Sequence, residues 1–292
     1  MKWGIVFSST SFPDPDRAIA LAELAEEAGF ESLWAPEHII VPGEYEPLYE
    51  ASKDGTLDRL GSRGGVPDPL IWFSFVAART SRIRFGTGVM LLTERNPVHT
   101  AKEAATLDVL SKGRLIMGVG SGWCKEEYDA LGISWPKRGK RLDEYIDAVR
   151  ELWTQPQASY DGEFVNFSRA QSDPKPHGGL IPIHVGGTSQ AAARRAGRVG
   201  DGYFPAIFPT EKVYADLPQL LGWVREAAIE AGRDPASIEI TSGGVRTVEE
   251  AKWFADQGVH RLTIAVRSKT IPDMREELMR FGNEVIAKSV DL

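Results

Sequence analysis

Thr247-Val248-Glu249-Glu250-Ala251 opens a helical run that closes at Gly258, and Val259-His260-Arg261-Leu262-Thr263 leads from it into an apolar strand. A strand–helix–strand unit is therefore still repeating near residue 260. Two α/β architectures alternate strands with helices, the doubly wound sheet and the (β/α)8 barrel. Persistence of the unit to the last helix, expected over Asp273–Lys288, favours the barrel. Working outward, strands are expected at Trp3–Phe7, Ser32–Ala35, Ile83–Met90 and Leu115–Val119. Four more are expected at Ile181–Val185, Gly202–Phe204, Ile238–Thr241 and Leu262–Val266, with amphipathic helices between them. Eight such units in 292 residues suit a TIM barrel, for which about 250 residues is typical. No linker-like stretch divides the chain, so 1–292 reads as one domain.

Two segments exceed ordinary barrel loops. Residues 41–68 follow the second strand and are rich in Gly, Pro, Asp and Tyr, so they read as a lid over the catalytic face, where loops after strands lie. Tyr45 and Tyr49 are its candidate pocket-closing residues. Residues 156–180 follow a helix and include Tyr160-Asp161-Gly162-Glu163-Phe164, which resembles a small hairpin.

Composition excludes several classes. A net charge of −7 lacks the basic field that nucleic acid requires. One cysteine, Cys124, rules out a disulfide framework and a cysteine zinc site, and suits a reducing, cytoplasmic setting. The apolar run Trp3–Phe7 is too short for a signal peptide, and no stretch is apolar enough to span a membrane. The five histidines show no metal-ligand spacing, no G-x-S-x-G elbow occurs, and no metal is expected.

What remains is a set of strand ends. Glu37-His38 follows the second strand, where an imidazole can exchange a proton near neutral pH and a neighbouring carboxylate can hold its tautomer. Gly86-Thr87-Gly88-Val89 ends the third strand, and Gly118-Val119-Gly120-Ser121-Gly122-Trp123 ends the fourth. Bare backbone there lets a large planar ligand lie close, with Trp123 as an aromatic wall; the same glycines also suit a bend or bulge. The G-x-G-x-x-G spacing of a dinucleotide fold is absent. Gly186-Gly187-Thr188-Ser189 turns from the fifth strand into a helix whose N-terminal N–H groups favour phosphate. Arg194 and Arg195 read as a solvated face further along that helix.

Taken in order, Gly29 to His38, Gly86 to Val89, Asn96-Pro97, Gly118 to Trp123, and Gly186-Gly187 with Ala196 to Gly202 resemble the luciferase-like monooxygenase superfamily. The chain is similar to its branch that uses the deazaflavin coenzyme F420. The resemblance covers Met1 to about Phe281 and implies a bacterial-luciferase-like TIM barrel with an insertion before the fifth strand. It implies that Gly88–Val89 is a non-proline cis peptide forming a bulge behind the coenzyme ring. Glu37 and His38 match an acidic–histidine pair at the ring's reacting edge. Asn96 and Ser121 line the coenzyme cleft, with Gly120, Gly122 and Trp123 beside them, and Gly186, Gly187 and Thr188 contact the phosphate. The partner implied is a small organic substrate exchanging hydride, in a homodimer. One departure stands out: sugar-phosphate dehydrogenases of the branch carry a carboxylate where this chain has Trp123, with Glu126 and Glu127 further on. An FMN-dependent monooxygenase is the alternative on the same barrel, and a cofactor-binding barrel without turnover is a third.

Overall fold

The computed structural model describes residues 1–46, 65–205 and 211–292, with backbone alone at 211–214. Among the described residues the strands are β1 Lys2–Val6, β2 Ser32–Ala35, β3 Arg84–Thr87, β4 Leu115–Val119, β5 Ala158–Asp161, β6 Asn166–Ala170, β7 Ile183–Gly186, β8 Gly202–Phe204, β9 Glu239–Gly243 and β10 Arg261–Ala265. Eight of them close into a barrel in the order β1-β2-β3-β4-β7-β8-β9-β10, and every neighbouring pair is parallel. β5 and β6 form a separate antiparallel pair. The TIM barrel expected from the sequence is the fold observed.

The helices are α1 Ser8–Ser11, α2 Pro15–Glu27, α3 Pro69–Ala77, α4 Pro97–Ser111, α5 Lys125–Leu131, α6 Arg138–Thr154, α7 Gln190–Val199, α8 Glu211–Glu230, α9 Val248–Asp256 and α10 Ile271–Phe281. Three of them begin with one device. Asp14-Pro15, Asp68-Pro69 and Asn96-Pro97 each set a short polar side chain before a proline, and that side chain accepts a first-turn N–H. Proline suits the first helical position because its missing N–H would have no partner there anyway. α9 instead carries a capping box, Thr247 with Glu250.

The apolar sides of helices and strands form one large core, including Trp3, Phe73, Phe85 and Phe254. A second cluster of Val6, Phe7, Trp34, Ile116 and Phe204, with Val89 and Ala265 against it, fills the barrel interior. At the opposite, N-terminal end of the strands sits a charged layer. Arg261 is fully buried and donates to Glu31 at 2.8 and 2.9 Å and to Glu239 at 2.7 Å.

Differences from the sequence expectation have local causes. The third strand, expected to reach Met90, ends at Thr87; the Gly88–Val89 peptide is cis, and Met90 returns to bridge Val119. α1 and α5, four and seven residues long, are too short to show helical periodicity. The last helix closes at Phe281 and continues as a π-type turn over Gly282–Ile286. Gly282 lies against the Ala28 carbonyl, 2.4 Å from where a Cβ would stand. The hairpin expected around Tyr160–Phe164 is present as β5–β6 and is tied to α6, where Glu144 accepts the Phe164 N–H at 2.9 Å. Of the expected lid, 47–64, including Tyr49, lie outside the described residues.

Close packing of β3 on β4 rests on Gly118. A Cβ there would stand 1.9 Å from the Thr87 carbonyl oxygen, and backbone cannot turn aside as a side chain can. Gly118→Ala is expected to destabilise the chain by about 3 kcal/mol through overpacking, read as a lower urea midpoint at unchanged slope. An unshifted midpoint would show that the two strands separate at little cost.

Candidate active site

Functional side chains in such barrels come from the C-terminal ends of the strands. Pro36, Glu37 and His38 leave the end of β2 together, but Glu37 and His38 then take different partners. Glu37 is buried; it accepts the Leu91 N–H at 2.7 Å and the Arg95 Nε–H at 2.8 Å. Arg95 also donates to Asp68. Glu37 is thus tied into an ion pair with the stretch after β3, and the structure shows no bond from it to His38.

The carboxylate that holds His38 is Glu127. His38 Nδ1 lies 2.9 Å from Glu127 Oε2, and Glu127 Oε1 accepts the Ile40 N–H at 3.3 Å. Glu127 is fully buried, in the first turn of α5. A carboxylate only accepts, so the proton of a neutral imidazole sits on Nδ1 and Nε2 is left as its basic nitrogen. Nε2 has no partner among the described residues. The carboxylate that holds the histidine thus lies four residues beyond Trp123. The Glu126-Glu127 pair was visible in the sequence, but its placement depends on the short helix α5.

Trp123 stands beside that imidazole, with ring centroids 6.1 Å apart edge to face, and Tyr45 packs on it at 5.8 Å. Trp123, expected as an aromatic wall, adjoins the histidine.

Bare strand ends were expected to let a planar ligand lie close, and in the structure several of them also make room for this chain's own side chains. A Cβ at Gly86 would stand 2.5 Å from the Trp34 ring, and one at Gly88 3.1 Å from Phe204. A Cβ at Gly120 would meet Val89 Cγ2 at 2.8 Å, and one at Gly186 would meet Val89 Cγ1 at 2.5 Å. The glycines of β4 and β7 thus form a socket for Val89, which is half-buried and packs on the inner apolar cluster. Gly122, at φ +67°, leaves room for a carboxylate the sequence reading passed over: a Cβ there would be 2.4 Å from Glu94 Oε1.

Gly187 and Thr188 are exposed on the turn between β7 and α7, and Gly187 adopts φ +120°. Ser189 caps α7 by accepting the Ala192 N–H at 3.2 Å. Arg194 and Arg195 face away into ion pairs, with Glu230 and Asp143. Asn96 is exposed and its Oδ1 is taken by the Val98 and His99 N–H groups, so that oxygen serves as a helix cap. The Ser121 carbonyl accepts the Tyr128 hydroxyl. On the same face, a cavity of about 300 Å³ follows β9 and β10; its Arg246, Arg267 and Arg280 are balanced by Asp273, Glu276 and Glu277. Among the described residues, no three His, Cys, Asp or Glu side chains converge as metal ligands would.

Known proteins share this architecture. The family described as luciferase-like monooxygenase matches residues 1–285. An uncharacterised protein of Mycobacterium tuberculosis is 34% identical over 281 residues, covering 94% of each chain. An F420-dependent glucose-6-phosphate dehydrogenase of Amycolatopsis mediterranei is 29% identical over 297 residues, covering 98% of this chain and 81% of its own. The crystal structure of the monooxygenase RslO1 from Streptomyces bottropensis superposes with a TM-score of 0.77 at 23% identity, over 99% of both chains.

Proposed function

The chain belongs to the luciferase-like monooxygenase family, and on that premise we propose that it is an oxidoreductase using coenzyme F420, exchanging hydride with a small organic substrate. The observation that carries this reading is the His38–Glu127 pair at the barrel mouth, with Trp123 against the imidazole. An F420-dependent dehydrogenase among the relatives supports the coenzyme.

The mouth suits such a coenzyme in two places. Val89, flanked by Gly120 and Gly186, offers an apolar floor for a flat ring. The exposed turn at Gly187-Thr188, whose Gly187 N–H is held by the Phe204 carbonyl at 3.3 Å, leads into the N-terminus of α7, where first-turn N–H groups favour a phosphate. When bound, the coenzyme supplies hydride transfer at its ring. The protein's part is then to hold the substrate against the ring, exclude water and move one proton. His38 Nε2 is the atom assigned to that proton, with Glu127 keeping the imidazole in one tautomer and orientation. Trp123 and Tyr45 bound the space beside Nε2 and favour a substrate with a flat or apolar portion there. With Trp123 in place of a carboxylate, the substrate classes that fit are an activated alkene, an imine or a simple alcohol rather than a sugar phosphate.

Titration of purified apo-protein with F420 and with FMN, followed by fluorescence, tests the coenzyme directly. Saturable F420 binding at least tenfold tighter than FMN is expected. Tight FMN binding with negligible F420 binding would replace the proposal with an FMN-dependent monooxygenase on the same barrel.

A further inference from the structure

Glu94 closes the short turn Leu92–Glu94 after β3, is 4% exposed, and has no hydrogen-bond partner among the described residues for either carboxylate oxygen. A buried charge without a partner is costly, so the question is which proton state the site tolerates. The groups around it decide. Two further buried carboxylates lie close enough to act on it electrostatically, Glu127 from α5 and Glu37 from the loop after β2. The cation on its own turn, Arg95, is committed to Glu37 and Asp68, with Glu103 at 3.7 Å. Glu127 is committed to His38. From α5, Tyr128 gives its hydroxyl to the Ser121 carbonyl and is itself bonded to Thr93. On α6, Arg141 is turned to the Ser134 carbonyl at 2.7 Å, and Arg138 lies over the Trp135 ring at 3.9 Å. None of these cations is bonded to Glu94 among the described residues.

We propose that Glu94 is a positioning residue of the proton-transfer site, a buried neutral acid beneath the Gly122 turn that keeps the His38–Glu127 pair in a single charge state and whose ionisation in alkali disturbs it. This rests on the assignment of proton transfer to His38. The neutral acid adds no charge beside Glu127, so His38 faces one negative partner. Once Glu94 ionises, a second negative charge stands beside Glu127, the carboxylate that orients His38. Burial first, then Glu127 and Glu37, push the Glu94 carboxyl up to about 9, which sets where this happens. The sign for stability follows. From the ordinary carboxyl range up to about pH 9 the folded chain keeps a proton that the unfolded chain has lost, so the Glu94 contribution to stability falls as pH rises and levels off above.

Glu94→Gln keeps size and neutrality and removes the titration. Infrared difference spectra of the full chain against this variant read the proton itself. At pH 7 the wild-type chain is expected to show a protonated-carboxyl C=O band that E94Q lacks, bleaching in a titration centred near pH 9. In nitrogen NMR of labelled histidine, the His38 signal is expected to carry an extra inflection over that range, absent in E94Q. A merely structural Glu94 would leave the two His38 titrations identical, and that result overturns the coupling. Absence of the carbonyl band at pH 7 overturns the neutral acid. Both readouts need neither coenzyme nor turnover, so they stand or fall apart from the role given to His38, which the His38→Ala turnover assay tests by itself.

Discussion

His38→Ala is expected to lower kcat by about 10²–10⁴-fold, the range for loss of a general acid or base, while coenzyme affinity stays within a few-fold. The separation of the two effects is the informative part. His38 is largely shielded and its Nδ1 is held by Glu127 at 2.9 Å, so its freedom to act is confined to Nε2. The residues assigned to the coenzyme, Val89 with its glycine socket and the Gly187-Thr188 turn, are on other strands and do not depend on the imidazole. Stopped-flow turnover beside a coenzyme titration measures both quantities. Glu127→Gln is expected to act in the same direction with less loss, because an amide can still bond to Nδ1 but no longer opposes the charge of a protonated ring. Turnover unchanged in His38→Ala would remove the imidazole from the proton path.

The second large effect concerns stability and lies at the other end of the barrel. Arg261→Met is expected to cost about 3–5 kcal/mol, because removing one member of a buried ion network strands the others. Arg261 joins the loop before β2 to the starts of β9 and β10, through Glu31 and Glu239, and also donates to Thr241 at 3.0 Å. Burial raises the Glu239 carboxyl, but Arg261 and Lys2 outweigh it and bring the net value down to about 2. The sign is that of a depressed acid: the stabilisation is present above the ordinary carboxyl range and is lost as pH falls towards about 2. The deficit of Arg261→Met should therefore be largest near neutral pH and shrink on acidification. Thermal melts at pH 7 and pH 3 read this, with a midpoint drop of about 5–8 °C expected at pH 7 for a chain of this size. Equal deficits at the two pH values would mean that packing of the Arg261 stem, not its charge, is what the barrel uses.

The barrel was legible because its signals are local and repeated. Apolar runs bounded by glycine mark strands, and Asp14-Pro15, Asp68-Pro69 and Asn96-Pro97 mark helix starts, each within a few residues. Much of the site was not legible, because its contacts join residues far apart in the chain. His38 and Glu127 are 89 positions apart, and Glu37 meets Arg95 across 58. Nothing local separates Glu127 from Glu126, whose carboxylate instead accepts the Glu46 N–H at the surface. Glu94 and Arg95 lay in a stretch with no periodicity, now seen as a single turn. The glycines were read as places needing bare backbone, and part of that need is set by this chain's own side chains. That part depends on which side chain arrives from the neighbouring strand, and Trp34, Phe204 and Val89 arrive from elsewhere in the chain.

The seating of Val89 has a mechanical consequence. In the barrel order β3, β4, β7, a side chain rooted just past the first strand presses on glycines at the ends of the other two. Strands β3 and β7 share no backbone ladder, yet this one isopropyl group braces them across β4 like a crossbar over three staves. Load on Val89 is thereby shared by three of the eight barrel strands.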